Sequence, residues 1–200
     1  MEITVDMIRE LREATGAGVL DAKKALEAAD GDFDKAAAAL RKKGLARAEK
    51  RADREAKEGV IEVYSHLANR VGVMVEVNCE TDFVARNEQF QDLAHDLALH
   101  VAAMSPRYVS REDVPADVLE NQLSSLRAEA EGEGKPEDII EKIVQGRLEK
   151  FYKDTVLLEQ PFVKDEDMTV ETLVNNTIAV LGENILVRRF VRYELGETEE

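Results

Sequence analysis

Apolar positions alternate over residues 71–79, with Val71, Val73, Val75, Val77 and Cys79 on one face and Gly72, Met74, Glu76 and Asn78 on the other. A period of two predicts a half-buried strand. Directly downstream the period lengthens: Phe90, Leu93, Leu97, Val101 and Met104 recur at spacings of three and four, which predicts an amphipathic helix. Between these rigid elements lies Thr81-Asp82-Phe83-Val84-Ala85-Arg86-Asn87, a short corner bearing an acid and a large aromatic. Two readings of the corner follow. Either it is a presented tip, or Phe83 folds back into the core while Asp82 caps the helix.

The same reasoning organises the rest of the chain. Thr4 can cap a first helix carrying Val5, Ile8 and Leu11, which stops at Thr15-Gly16-Ala17-Gly18. A second helix spans about residues 19–29 and stops at Asp30-Gly31. Asp32 caps a third, with Phe33, Ala36, Ala37 and Leu40 as its stripe, ending before Gly44. Residues 1–44 thus read as a three-helix unit with a thin core, suited to docking rather than catalysis. Residues 45–58 read as a basic helical linker. Gly59-Val60-Ile61-Glu62-Val63-Tyr64, a turn at 66–70 and the valine strand then make a β-hairpin. Past Ser105-Pro106, polar helical stretches at about 115–131 and 136–152 flank the break Glu131-Gly132-Glu133-Gly134-Lys135-Pro136. They predict a projecting helical hairpin with a narrow seam, Val118, Leu119, Leu123 and Leu126 against Ile139, Ile140, Ile143 and Leu148. A helix at about 170–181 and a final β-rich stretch from Ile185 to Tyr193 complete the pattern. The predicted class is α+β: in residues 59–200 a small three-stranded antiparallel sheet is covered by helices, with the helical hairpin at about 113–152 projecting from it.

Composition narrows the chemistry. Of the 200 residues 44% are apolar and 34% charged, a balance typical of soluble globular proteins, and the formal net charge is -15. Such a charge argues against a protein that grips phosphate backbones, because that work needs clustered Lys and Arg. Residues 41–57 are a local exception, with eight basic residues to three acidic ones. They read either as a solvated helical linker with i,i+4 pairs or as a contact for an acidic or nucleic-acid partner. Apolar runs are too short for a membrane span, and Glu2, Asp6 and Arg9 stand where a secretory signal would be apolar, so the expected compartment is the cytoplasm. Cys79 shares its strand face with four valines and is expected to be a buried, inert thiol.

No catalytic constellation emerges. The sequence has no phosphate-binding glycine loop, nucleophile elbow or cysteine metal pattern, and neither cofactor nor metal is expected. His95 and His100 lie five apart on one helix, about 140° around its axis, so they cannot share a metal. Asp92 with His95, and Asp96 with His100, read as salt bridges before they read as catalytic pairs. His66 belongs to a turn.

Recognition remains. Leu11-Arg12-Glu13, Thr15-Gly16-Ala17-Gly18 and Asp21-Ala22-Lys23-Lys24-Ala25-Leu26 resemble the N-terminal signature of the elongation factor Ts family, the guanine-nucleotide exchange factors of elongation factor Tu. Glu76-Val77-Asn78-Cys79 running into Thr81-Asp82-Phe83-Val84 resembles the central signature. His100-Val101-Ala102-Ala103, Gly146-Arg147 and Gln160-Pro161-Phe162-Val163 match further along, in family order. Val19 and Leu20 stand where many members carry methionines and Ala22 where a cysteine is common, all apolar replacements. By this resemblance the chain is expected to be a short form, without the extra C-terminal helical module of longer members and with one copy of a core unit that those members have in two halves.

The resemblance implies that the N-terminal module is similar to ubiquitin-associated (UBA) domains. On that basis it grips the GTP-binding domain of elongation factor Tu through Arg12, Thr15, Gly16, Val19 and Lys23. Thr81, Asp82, Phe83 and Val84 would reach the nucleotide site, the aromatic wedging between helices near the switch region. Mg²⁺ and the phosphate-binding loop are then disturbed and GDP leaves, without covalent chemistry by the chain itself. His100 would support that contact. A single core copy also raises the expectation of a homodimer with the last strand as its seam, since an unpaired edge would otherwise stay open. Two further readings stand beside this one: a UBA-like adaptor for ubiquitin-like or peptide ligands, which leaves the corner without a task, and a small hydrolase using Asp82 with His95 or His100.

Overall fold

The structure, a computed structural model, describes residues 3–132 and 136–197. Local chemistry sets the N-terminal helices. In α1 (Val5–Thr15) the Thr4 hydroxyl accepts the Met7 N–H at 3.3 Å, and Gly16 closes the far end with φ 64°, its N–H donating to the Arg12 carbonyl at 2.7 Å. After α2 (Val19–Ala28), Asp32 caps α3 (Phe33–Glu49) by accepting the Lys35 N–H at 3.1 Å. Leu11, Ala22, Leu26, Ala36, Ala37 and Leu40 meet in the thin core that the alanines suggest. The third helix does not end before Gly44. That glycine is seated on the last helix, where a Cβ would lie 3.4 Å from the Ala179 Cβ, and this packing outweighs the ~1 kcal/mol penalty of a helical glycine. The first part of the basic segment is therefore the end of α3, and Ala48 enters the main core.

β1 (Glu58–His66) and β2 (Val71–Cys79) form the hairpin, turning through Leu67, Ala68 and Asn69, all at positive φ. One helical turn, α4 (Asp82–Ala85), and the long α5 (Glu88–Met104) follow. α6 (Ala116–Gly132) and α7 (Glu137–Thr155) make the helical hairpin; the Glu133-Gly134-Lys135 part of its break lies outside the described residues. A short ribbon of β3 (Pro161–Phe162) and β4 (Asp165–Thr169) leads to α8 (Val170–Leu181) and β5 (Ile185–Glu194). β5 pairs antiparallel with β2, giving the order β1-β2-β5, so the α+β layout holds.

The main core fills one face of this sheet. Val71, Val73, Val75, Val77 and Cys79 pack with Phe90, Leu93, Leu97 and Val101 of α5 and with Val174 and Ile178 of α8. β5 departs from simple alternation, because the register with β2 slips between Glu76 and Val77 and leaves Arg188 out of the ladder. This bulge exchanges the faces. Ile185 and Val187 point into the core, whereas Val191 and Tyr193 point out. The opposite sheet face is bare: Ile61, Val63, Met74, Leu186, Val191 and Tyr193 are all exposed, Val63 and Tyr193 at 67%. In the helical hairpin Leu126, Ala130 and Ile140 are buried, while Ile139, expected in the seam, faces solvent. The hairpin's base is clasped by Arg111, which holds Glu149 at 2.7 and 3.1 Å and Glu159 at 2.6 Å and lies 4.2 Å from the Tyr152 ring centroid.

Gly16 meets two demands at once, a left-handed backbone and close approach to α8. A Cβ there would lie 2.5 Å from Val180 Cγ2. Gly16→Ala is expected to destabilise by about 1–3 kcal/mol, seen as a lower urea midpoint. Gly18→Ala, where a Cβ meets nothing within 4 Å, is the matched control and should lose much less.

Candidate partner-binding site

Thr81 shapes the corner. Its hydroxyl accepts the Val84 N–H at 3.4 Å and caps α4, so Thr81 rather than Asp82 is the capping residue. Asp82 is the first residue of the turn and pairs at the surface with Arg86 at 2.9 Å, a contact worth little in water. Ala85 is buried and Val84 packs against the main core. Two residues back along a helix is roughly the opposite face, so burying Ala85 turns Phe83 outward. Phe83 is 81% exposed, which removes the reading that folds it into the core.

The tethers of this corner come from far along the chain. Glu183, in the turn between α8 and β5, accepts the N–H groups of Glu80 and Thr81 on Oε2 at 3.2 and 3.0 Å and the Thr81 hydroxyl on Oε1 at 2.7 Å. Its neighbour Asn184 is buried; the backbone N–H donates to Glu80 Oε1 at 2.7 Å, and the side-chain amide donates to the carbonyls of Ala52 at 3.3 Å and Arg54 at 2.8 Å. Arg54 also pairs with Glu80 at 3.4 Å, so part of the basic segment is engaged within the chain. The Cys79 thiol donates to the Thr81 carbonyl at 3.2 Å. Burial, helped by the charge of Glu183, pushes that thiol up to about 11, as an inert cysteine requires.

The N-terminal residues divide into two groups. Arg12, Val19 and Lys23 are exposed, and Leu20, at 72%, extends the apolar patch of Val19. Arg12 Nε donates to the Ala17 carbonyl at 3.3 Å, which holds the α1–α2 turn. Thr15 is half-buried instead, and Gly16, though exposed, lies where its Cα faces α8. They share a crevice with Asn176, Ala179 and Val180 of α8, and the Thr15 hydroxyl donates to the Leu11 carbonyl at 2.6 Å.

His100 needs a correction of its own. It is 0% exposed and has no surface to offer a partner, so any support it gives is internal. Nδ1 accepts the Val163 N–H at 3.2 Å, which leaves Nε2–H to donate to Gln160 Oε1 at 2.9 Å; the Gln160 amide then donates to the Asp154 carbonyl at 2.9 Å. This network fixes one neutral tautomer. It braces Gln160-Pro161-Phe162-Val163 against α5. The acid–histidine pairs expected along α5 do not form: His95 bonds across to Glu62 at 2.9 Å, and Asp96 pairs with Lys164 at 2.5 Å. Asp82, bonded to Arg86, joins neither histidine, so the hydrolase reading loses its constellation. Among the described residues no group of three or more His, Cys, Asp or Glu converges on a cation site, and no helix is long and apolar enough to cross a membrane.

Similarity to known proteins bears on the same residues. The family model described as Elongation factor TS matches residues 35–197. The elongation factor Ts of Moorella thermoacetica is 60% identical over 190 residues, covering 95% of this chain and 94% of that protein. That of Carboxydothermus hydrogenoformans is 57% identical over 98% of this chain and 90% of its own length, and that of Coprothermobacter proteolyticus 54% identical over 98% and 100%. The chain belongs to the elongation factor Ts family. Its place is thus in translation elongation, and apolar side chains stand proud of rigid elements at several places on its surface. Two such places are the Phe83 corner and the Val19–Leu20 end of α2. Sequence reasoning missed Glu183 and Asn184. Their only local signal is a Gly-Glu-Asn turn between an apolar helix and a strand, and nothing in it points to Thr81, 102 positions away.

Burial holds the folded His100 below the ordinary value of 6.5, the Gln160 bond opposing only in part. As pH falls through about 6.5 the unfolded chain takes up this proton first, so the stability contributed by the neutral ring is full above that pH and lost below it. The urea-unfolding free energy is expected to fall between about pH 7.5 and pH 5.5 by more in the wild type than in His100→Gln, at about 1.4 kcal/mol per unit of depression. Equal losses in the two proteins would contradict this.

Proposed function

We propose that this chain is a cytoplasmic guanine-nucleotide exchange factor that binds elongation factor Tu·GDP and promotes GDP release, so that GTP can enter. One observation carries the reading: Phe83 is 81% exposed on a turn that is itself pinned to the body of the protein. Thr81, Asp82, Phe83 and Val84 form the wedge that enters near the partner's switch region and disturbs its Mg²⁺ and phosphate contacts. Arg12, Val19 and Lys23, joined by Leu20, grip the GTP-binding domain. Thr15 and Gly16 serve by seating α1 and α2 on α8, and His100 serves by bracing α5 from within. A UBA-like adaptor would leave the Phe83 corner idle.

Magnitudes limit the wedge. Burying one Phe yields roughly 1.5–3 kcal/mol, so Phe83 alone can weaken GDP binding by roughly ten- to a hundredfold. The remainder must come from the docking module and from lost Mg²⁺ coordination. Coupling is reciprocal, so GDP or GTP in turn expels the factor. A net charge of -15 repels nucleic acid and leaves a protein as the natural partner.

A second copy of the chain is the partner that suits the bare sheet face. Ile61, Val63, Met74, Val191 and Tyr193 make a contiguous apolar surface that a monomer would leave wet, and a two-fold axis would let it cover itself. β5 contributes to this seam through its face beyond the bulge rather than through its edge alone.

Two experiments test these readings. Phe83→Ala should fold normally and still bind nucleotide-free elongation factor Tu, yet slow the release of fluorescent GDP in stopped flow by roughly ten- to a hundredfold; an unchanged rate refutes the wedge. Sedimentation at micromolar concentration should give a dimer for the wild type and a monomer for Val63→Asp, and a wild-type monomer removes the pairing.

A further inference from the structure

We infer that Glu183 is a positioning residue for nucleotide exchange: its carboxylate locks the Thr81–Phe83 corner to the α8–β5 turn and so fixes the wedge relative to the N-terminal docking module. The inference rests on the exchange reading above and assigns a role to a residue outside either partner-facing surface.

The geometry forms a continuous chain of contacts. Three donors converge on one carboxylate, and all three belong to the corner: the N–H groups of Glu80 and Thr81 and the Thr81 hydroxyl. Hydrogen bonds to an ionised acceptor are about twice as strong as neutral ones. The hydroxyl that donates to Glu183 also accepts the Val84 N–H, so the charge orders the cap of the turn that carries Phe83. On the other side, Gly182 ends α8 in a left-handed conformation with φ 80° and delivers Glu183 and Asn184 directly from the helix. Ala179 and Val180 of that helix seat Gly44 and Gly16 of the N-terminal module. Asn184 adds a second tie, to the Ala52 and Arg54 carbonyls in the segment that leads out of the module. Residues 179–184 therefore touch the module, its outgoing segment and the wedge corner within two turns of chain.

The physical consequence is stiffness. α4 is one turn long and has only Val84 and Ala85 in the core, too little to hold an exposed aromatic against a resisting partner. A wedge that swings loses its binding free energy to ordering itself; a mounted one applies it to the nucleotide site. Removing the mount should therefore lower the maximal release rate while leaving initial docking alone.

The test uses the full chain and elongation factor Tu loaded with fluorescent GDP. Glu183→Gln keeps the size but sets an amide N–H₂ against N–H donors. It is expected to lower the maximal release rate about tenfold with the concentration for half-maximal release unchanged, and Glu183→Asp to restore part of the rate. In a Phe83→Ala background the same change should cost little more, because both act through one wedge. Hydrogen exchange at the Thr81 and Val84 amides should accelerate in Glu183→Gln. A normal maximal rate, a loss that multiplies with that of Phe83→Ala, or a rise only in the half-maximal concentration would each overturn the inference. If Glu183→Gln does not fold, Thr81→Val, which removes the hydroxyl's bond to Glu183 together with its cap on the Val84 N–H, carries the same expectations. If the wild type releases no GDP, the exchange reading fails instead, and the amide exchange rates still decide whether Glu183 holds the corner.

Discussion

Phe83 points to solvent, so the corner between β2 and α5 has little apolar burial of its own to fix it. Its backbone donors need acceptors, and a strand end beside a one-turn helix offers none locally. They find a single carboxylate. Glu183 takes two backbone N–H groups and a hydroxyl, and from that point the local structure follows: Thr81 caps α4, Ala85 enters the core and Phe83 is left outside. A half-buried acid beside Cys79 is tolerable because every bond it makes is to a donor. The exposed aromatic and the acid behind it are two halves of one arrangement.

α8 extends this constraint to the rest of the molecule. Val170, Val174 and Ile178 face the sheet, while Ala179 and Val180 carry the N-terminal module at Gly44 and Gly16, and the missing side chain of Gly16 makes the closer of the two approaches possible. α3 responds by running through Gly44 and placing Ala48 in the sheet core, so the two hydrophobic clusters share a helix. A thin three-helix core that would be marginal alone gains the support of a larger neighbour. His100 plays the corresponding part behind α5, where a neutral ring joins the helix to the β3 segment through two hydrogen bonds.

Val5, Leu67, Ile139 and Leu195 are exposed singly, whereas the start of α2 and above all the bare sheet face group exposed apolar side chains on rigid elements, and Phe83 stands out at the corner. Such concentration differs from scattered exposure, which is ordinary on any protein. A net charge of -15 raises a long-range barrier to other acidic surfaces, which matching apolar shape has to overcome at close contact.

The elements and the place of the corner between them were legible because they rest on short-range causes. Period two over 71–79, period 3.6 over α5, the caps at Thr4 and Asp32 and the stop at Gly16 each need only a few neighbouring residues, and the family likeness came from contiguous motifs. What stayed hidden depended on residues far apart. The bulge at Arg188, the passage of α3 through Gly44 and the burial of His100 are settled by partners tens of positions away. The sequence by itself determined which segments become helix or strand and that an aromatic sits at their junction. Only the tertiary structure decided that Phe83 faces outward and Glu183 holds it there, since a hydrogen bond across 102 positions exists only once α8 and the sheet have packed.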